Sequence, residues 1–485
     1  MSAARRLAGL VGALLLFRVG SAFLVFQPGY TDAYYYADVA KRLAAGQGLT
    51  ADFIWNVMEA TGPLPVPSHR FWMPLATVVQ AIGIKALPFV DAFRAAQTME
   101  ILVACAIPLV AYLAARSLGL SANGALVAAA LAGLGGAFAP GWVSLDAFAP
   151  AAVIGTVFFL SYRRAAAGDL RAGAIAGLAV GLLFLARAEG ALFGLPLLFL
   201  LRRPGSRRAG LAASGIALVI GLGWLARDLA LGSSPDLFAR SVLIVRYEDF
   251  FATAAPASPS LEQLLVPKPA ALVTNLITFV FAFGLLLLPG IARVIWTRRD
   301  RPDVRAFAGL LVLAYLVESL VFTLHSTRGS YFHSLAAFLP FGVALGIVGT
   351  GELLGTIERG RMAAISGVTA AIIVSVFALA QWDASFNAPY RERVAAVASI
   401  PAGPFLAIDA AAWRWIADRP VIVTPADGVP AALCAITTNG PDFIVLEPVH
   451  FSAYSAFYAG SRPVAAVGGI RVFPILAPPF SCGRP

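Results

Sequence analysis

Residues 7–38 read LAGLVGALLLFRVGSAFLVFQPGYTDAYYYAD, and this stretch decides the fold. Its first part, 7–26, is almost entirely apolar, and a membrane-spanning helix needs ~20 such residues. The run resembles a signal peptide, but Arg18 interrupts it and apolar residues continue to Phe26, so we expect an uncleaved first span. Asp32 and three tyrosines follow at once, so the chain leaves the membrane through an acidic, aromatic segment.

The rest of the chain is also unusually apolar. Of its 485 residues, 59% are hydrophobic and only 13% are charged, whereas soluble domains carry about 25% charged residues. This composition excludes an ordinary soluble enzyme and a disordered chain. The net charge of +10 is not gathered into a basic stripe with interleaved aromatic residues, so nucleic acid is not an expected partner.

The hydropathy pattern predicts an α-helical polytopic membrane protein with about 11 spans. The segment 74–87 is apolar but short and contains Gln80 and Lys85, which favours an interfacial or re-entrant helix. The predicted spans lie near 7–26, 97–115, 122–140, 147–162, 172–186, 190–201, 209–226, 272–292, 306–324, 334–354 and 362–380.

The distribution of Lys and Arg predicts the orientation. If 74–87 does not cross, one set of loops carries 17 of these residues, and the opposite, much longer loops carry 11. The positive-inside rule then places the N-terminus in the cytoplasm and the C-terminus outside. We therefore expect a transmembrane region over 1–381, with large extracytoplasmic loops at 27–96 and 227–271, and an extracytoplasmic domain over 382–485.

The C-terminal segment 382–485 alternates short apolar runs with helix-like ones, which predicts a small α/β domain. Cys434 and Cys482 lie in it and either pair in an oxidising compartment or stay two unpaired thiols. The strand-like segments are 405–408, 421–424, 443–446 and 470–475, and the helix-like ones are 411–417 and 429–437.

Two aspartates are candidate catalytic residues. Asp32 follows the first span, where it either caps the next helix or acts as a carboxylate that takes a proton from a hydroxyl or binds a cation. Asp146 lies in GWVSLDAFAP, just before the fourth predicted span, and has the same alternatives. A carboxylate this close to hydrocarbon is costly unless it faces a polar cavity.

Two outside turns offer candidate ligands for a phosphate. Arg187 and Glu189, in LARAEG, form either a surface ion pair or a phosphate ligand with the carboxylate that orients it. The turn HSTRGSYFHS, 325–334, gathers Arg328, Tyr331 and His333, which suit a phosphate or pyrophosphate. The acidic–aromatic cluster 247–251 either contacts sugar or anchors the chain at the interface.

In this order, these residues resemble the GT-C superfamily of membrane glycosyltransferases. The bacterial members grouped with protein mannosyltransferases, aminoarabinose transferases and galacturonosyltransferases are the most similar. The resemblance implies that Asp32 is the catalytic acidic residue opening an aromatic juxtamembrane helix, and that Asp146 is the further acidic residue. It also aligns Arg187 with a basic residue at the start of a short span, and 328–340 with a turn before a proline-containing helix.

A second short helix in the family opens with proline, and Pro74 matches it here. The family's His-Pro-Pro pattern is replaced by HRFWMP, 69–74, so His69 is the corresponding candidate binding residue. No paired acidic residues follow the first span, because Ala33 comes next. The sequence therefore leaves the binding of a divalent metal as an alternative and identifies no certain cofactor.

The resemblance implies an inverting enzyme of the bacterial cytoplasmic membrane that uses a polyprenyl-phosphate-linked sugar. The acceptor is a lipid, glycan or protein. No nucleotide is needed, and no GxxxxGK[ST] motif is present.

Two other functional classes remain alternatives. A transporter or flippase would concentrate polar groups near the midplane, where this sequence has chiefly Arg18 and Glu318. A polysaccharide polymerase or ligase would carry its charged cluster in a late loop rather than directly after the first span. A cavity at the outer surface that contains Asp32 favours transfer, whereas a pore through the middle favours transport.

Overall fold

The computed structural model describes residues 2–56, 62–232, 244–252, 259–426, 429 and 440–475. Helices dominate these ranges, because apolar segments must satisfy their backbone hydrogen bonds internally. Cys434, Cys482 and nearly all of the predicted helix 429–437 lie outside the described residues.

Most of the described first half of the chain is helical. Its helices are Ala3–Leu24, Thr31–Ala44, Leu75–Ala86, Ala92–Ala104, Ala106–Ser117, Ala122–Leu134, Phe148–Ala166, Leu170–Ala186, Leu195–Arg202 and Arg207–Ala230. The later helices are Leu261–Leu265, Pro267–Phe283, Leu288–Thr297, Pro302–Leu320, Thr323–Thr327, Ser330–Leu335, Leu339–Leu354, Ile357–Trp382, Ala388–Val397, Ala410–Ala417 and Ser452–Phe457.

Within the described ranges, 6 helical stretches are long and apolar enough to cross a membrane. The predicted span 272–292 is two helices rather than one: the first ends before Gly284, which has φ +74, and the second begins at Leu288. Only glycine adopts that φ without strain. The total of about 11 spans stays a prediction. The 6 stretches are Ala3–Leu24, Ala92–Ser117, Pro204–Ala230, Leu261–Phe283, Ser330–Leu354 and Gly360–Val397.

Both short helices predicted in the first loop are present. The first spans Thr31–Ala44, with Asp32 in its opening turn and Gly46 at φ +80 just beyond its end. The second, Leu75–Ala86, begins directly after Pro74 and has 12 residues, which is too short to cross a membrane.

A six-stranded sheet lies in the C-terminal part. Its strands are β2 (Phe53–Ile54), β4 (Phe405–Ala407), β5 (Val421–Val423), β6 (Phe443–Leu446), β7 (Ala465–Val467) and β8 (Ile470–Pro474). Their order in the sheet is β2-β5-β4-β6-β8-β7. The first four strands of that order are parallel, and β8 and β7 are antiparallel to their neighbours. All four predicted strands are confirmed. A separate antiparallel pair joins β1 (Thr50–Ala51) to β3 (Val66–Pro67).

The first loop is built into the C-terminal sheet, which the sequence does not predict. Strand β2 pairs with β5 in the register Phe53↔Val421. The Asp38 carboxylate, in the helix that begins with Thr31 and Asp32, lies 3.9 Å from the guanidinium of Arg414. Strand pairing and charge together therefore fix the Asp32 helix against the sheet.

Small residues allow neighbouring helices to approach closely, as is common in membrane bundles. Gly173 and Gly177 of helix Leu170–Ala186 face the backbone of Ala209 and Ala213 in helix Arg207–Ala230. A Cβ added at Gly177 would collide with the Ala213 backbone. Arg187 directly follows helix Leu170–Ala186 of this pair.

We expect Gly177→Ala to lower the thermal unfolding temperature in detergent, because overpacking a close contact costs about 1–3 kcal/mol. Gly215→Ala is the matched control, since a Cβ there meets no atom within 4 Å. Equal unfolding temperatures for the two variants would contradict this packing.

Candidate active site

A cavity of about 1470 Å³ lies between the helices and the edge of the C-terminal sheet. Its wall is mostly apolar, but it brings together Asp32, Arg187, Glu189, Arg328 and His333. Five of the predicted site residues therefore share one space. Such a mainly apolar cavity with a few converging polar groups is the usual form of a ligand site.

Asp32 enters the cavity from the first turn of its helix. The N-cap position belongs to Tyr30, and no side chain caps this helix, so capping is not the role of Asp32. Burial, followed by the neighbouring Asp146 carboxylate, raises the pKa of Asp32 from 3.8 to about 7, although Arg187 opposes the shift. A carboxyl group with this pKa both accepts and releases a proton near neutral pH.

Asp146 lies behind the cavity wall rather than in it. Its side chain is fully buried, and it accepts hydrogen bonds from the Tyr30 hydroxyl at 2.5 Å and from the Ala147 backbone N–H at 2.5 Å. His333 Nδ1 lies 3.3 Å from the same carboxylate. Since Tyr30 and His333 both line the cavity, Asp146 orients two groups that a ligand would contact.

Arg187 and Glu189 form a partly buried pair at the cavity wall rather than an exposed surface pair. The Arg187 Nη2 lies 3.1 Å from Glu189 Oε1, and the two side chains are only 15% and 17% exposed. Burial alone would raise the pKa of Glu189, but Arg187 outweighs it and holds that pKa at about 2. Burial likewise disfavours the charged form of Arg187, but Glu189 and the other nearby acidic groups raise its pKa. Both groups are therefore charged at neutral pH.

Arg328 presents its guanidinium to the cavity without a carboxylate partner among the described residues. The guanidinium carbon lies 3.7 Å from the ring centroid of Tyr247, a cation–π contact. Tyr247, Phe250 and Phe251 all line the cavity, so the 247–251 cluster forms part of its wall. The stacked guanidinium keeps its hydrogen-bond donors available for an anion.

Two predicted binding residues lie elsewhere. The His69 ring is fully buried, with Nδ1 3.0 Å from the Trp72 carbonyl oxygen, and its ring stacks on Tyr36. The Tyr331 side chain is 1% exposed and packs 5.9 Å from the ring of Tyr315. Both side chains are held inside the protein by their packing and neither lines the cavity, so the structure does not bring them together with the other five.

The C-terminal sheet contributes charged groups that the sequence reading did not single out. Asp409 follows β4, and Glu447 follows β6, at the carboxyl edge of the parallel strands. Arg393 bridges them, at 3.0 Å from Asp409 and 2.8 Å from Glu447, and all three line the cavity. The Thr31 hydroxyl donates to Asp409 at 3.1 Å. Ligands commonly bind outside the carboxyl ends of parallel strands, so the position of these acids after predicted strands was an available signal.

A divalent metal does not fit the side chains present. No group of three or more potential ligands gathers anywhere in the described ranges. Asp146 already contacts Tyr30, Ala147 and His333, and Asp409 already contacts Arg393 and Thr31. Asp32 alone would supply one carboxylate, whereas a divalent cation needs several oxygen ligands.

Solved structures with the same fold are membrane glycosyltransferases. ArnT from Cupriavidus metallidurans, bound to undecaprenyl phosphate, is 14% identical over 98% of this chain and 99% of its own, with a TM-score of 0.61. The Archaeoglobus fulgidus oligosaccharyltransferase in the apo form is 13% identical over 91% of this chain and 69% of its own, with a TM-score of 0.53. No family model and no curated protein matches the sequence. The chain is thus an integral membrane protein, and its resemblance to GT-C enzymes is confirmed for the fold.

We expect stability measurements to separate the two candidate aspartates. Because the folded-state pKa of Asp32 is raised to about 7, the folded protein keeps a proton that the unfolded chain releases, and stability falls as pH rises from about 4 to about 7. Asp32→Asn removes that loss, so its unfolding temperature should exceed that of the wild type more at pH 8 than at pH 5.

Asp146→Ala should instead lower the unfolding temperature at both pH values. It leaves the Tyr30 hydroxyl and the Ala147 N–H without their acceptor, which costs about 1–3 kcal/mol. A stabilised Asp146→Ala variant, or an Asp32→Asn variant whose gain does not depend on pH, would contradict these placements.

Proposed function

We propose that the protein transfers a sugar from a polyprenyl-phosphate carrier to an acceptor hydroxyl on the extracytoplasmic face of the bacterial cytoplasmic membrane. The observation that supports this most is one cavity containing the Asp32 carboxyl together with the guanidinium groups of Arg187 and Arg328. A base and two cations in a mostly apolar space suit attack by a hydroxyl with departure of a phosphate.

In the proposed reaction, the acceptor oxygen attacks the anomeric carbon while Asp32 takes its proton. The new oxygen–carbon bond forms as the bond between that carbon and the phosphate oxygen breaks, with inversion at the carbon. The polyprenyl phosphate leaves with the electron pair, and Arg187 and Arg328 stabilise its negative charge. Asp32 then returns its proton to solvent for the next cycle.

The apolar part of the cavity suits a prenyl chain. Leu225 and Phe281 line it from two different helices and Val321 lines it directly after the end of a third, and each is at least 40% exposed. Leu225 and Phe281 belong to stretches long and apolar enough to cross a membrane, so this side of the cavity can meet lipid. The neighbour ArnT was solved with undecaprenyl phosphate, a carrier of this class.

The position of the cavity favours transfer over transport. Its walls include the first loop, the 247–251 turn and the C-terminal sheet, which the charge distribution assigns to the outside. Asp32 lies among these outer elements rather than at mid-span. This arrangement matches an enzyme that receives both substrates at one surface.

We expect Asp32→Asn to abolish transfer of sugar from a polyprenyl-phosphate donor while the protein stays folded. In the wild type, kcat/KM should rise with pH and level off above about pH 7, because the base acts only when deprotonated and its pKa is about 7. Below that value the rate should fall by about tenfold per pH unit. Both the loss of transfer in Asp32→Asn and the wild-type pH profile are measured by following sugar transfer from a panel of polyprenyl-phosphate donors.

Asp418→Asn is the matched control, since that carboxylate is 76% exposed and pairs with Arg414 outside the cavity. It should retain wild-type turnover and the same pH profile. Undiminished turnover in Asp32→Asn would disprove the assignment of the base.

A further inference from the structure

Glu318 is a buried carboxyl group that the proposed reaction does not use. It lies in helix Pro302–Leu320 and is 1% exposed. Ser330 Oγ lies 2.9 and 3.0 Å from its two carboxyl oxygens, and Ser334 Oγ donates to it at 3.1 Å. Burying an ionisable side chain in an apolar helix costs free energy, and such residues usually have a functional role.

Glu318 also lies beside the carboxyl group of Glu189, because Ser330 Oγ is 2.9 Å from Glu189 Oε1 and 3.0 Å from Glu318 Oε1. Two carboxyl groups in contact cannot both be ionised, so they share one proton. Arg187 pairs with Glu189, which therefore carries the negative charge, and Glu318 is the neutral partner. In this state the three groups together carry no net charge.

The residues that Glu318 contacts, Glu189 and Ser330, lie in two segments that each carry a candidate phosphate ligand. Glu189 lies two residues after Arg187, and Ser330 lies two residues after Arg328. Ser330 Oγ lies 2.9 Å from Glu189 Oε1 as well, so the two segments are tied to each other. Moving Glu318 would therefore disturb both guanidinium groups at once.

We propose that Glu318 is a positioning residue for the donor phosphate, and that the proton it shares with Glu189 keeps the site open to an anion. The inference rests on the proposed function, because it takes polyprenyl phosphate as the anion. Loss of the shared proton would leave two carboxylates against one guanidinium, and the net negative charge would repel the phosphate.

The other ionisable groups around the pair leave an interval of pH free for a test. The ordinary pKa values of histidine, about 6.5, and of tyrosine, about 10, both lie outside the range from 7.5 to 9.5. A phosphate monoester is also fully ionised in that range, since its second pKa is about 6. The groups facing the pair are Arg187, His325, His333, Tyr36 and Tyr331. Asp32 and Asp146 act on Arg187, and Asp32, whose pKa is about 7, is mostly ionised throughout this range.

The test is the affinity of the full-length protein in detergent for undecaprenyl phosphate at pH 7.5 and pH 9.5. We expect the wild type to bind at least ~10-fold more weakly at pH 9.5, since one linked proton changes affinity by up to about tenfold per pH unit. Glu318→Gln keeps the hydrogen bonds but cannot ionise, so its affinity should change less than about twofold.

Glu352→Gln is the matched control, because that glutamate pairs with Arg298 away from the cavity and should leave the wild-type pH dependence intact. The inference would be overturned if the affinity for undecaprenyl phosphate fell equally with pH in the wild type and in Glu318→Gln. It would also be overturned if the wild-type affinity did not change with pH, a result that requires no variant. In both cases the proposed donor would stand. A wild type that binds no undecaprenyl phosphate at pH 7.5 would overturn the proposed function and this inference together.

Discussion

The arrangement of this site depends on compensating charges where water is scarce. Asp32 and Asp146 repel each other, and burial disfavours the ionised form of Asp32, so its proton is held up to about pH 7. Arg187 is the main opposing charge, and Glu189 holds it in place. One cavity therefore holds the Asp32 carboxyl, the Arg187–Glu189 ion pair and the Arg328 guanidinium, which stacks on Tyr247 and has no carboxylate partner in the described part of the chain.

Elements distant in sequence hold this arrangement. The Thr31 hydroxyl, directly before Asp32, donates to Asp409 in the C-terminal part, and Arg393 ties Asp409 to Glu447. Strand β2 of the first loop completes the same sheet. The sheet therefore contacts the first loop through backbone pairing and the Asp32 helix through side chains, and residues at its edge line the cavity.

The sequence predicted what depends on local pattern. The helix carrying Asp32, the short helix after Pro74 and four strands of the sheet follow from hydropathy and turn residues. The pairing of Phe53 with Val421 and the contact of Thr31 with Asp409 were not predictable, because they join segments more than 350 residues apart. Tyr331 does not line the cavity, because the turn at Gly329 sets the helix register, which directs His333 and not Tyr331 to that space.

The central claim is that one cavity holds the base and the phosphate ligands of a single transfer reaction. A cryo-EM structure of the protein with undecaprenyl phosphate bound tests it most directly. We expect the phosphate within hydrogen-bond distance of the guanidinium groups of Arg187 and Arg328, with the Asp32 carboxyl facing the same space and the prenyl chain along Leu225 and Phe281. Phosphate density outside this cavity, or at its wall but beyond reach of both arginines, would contradict the account.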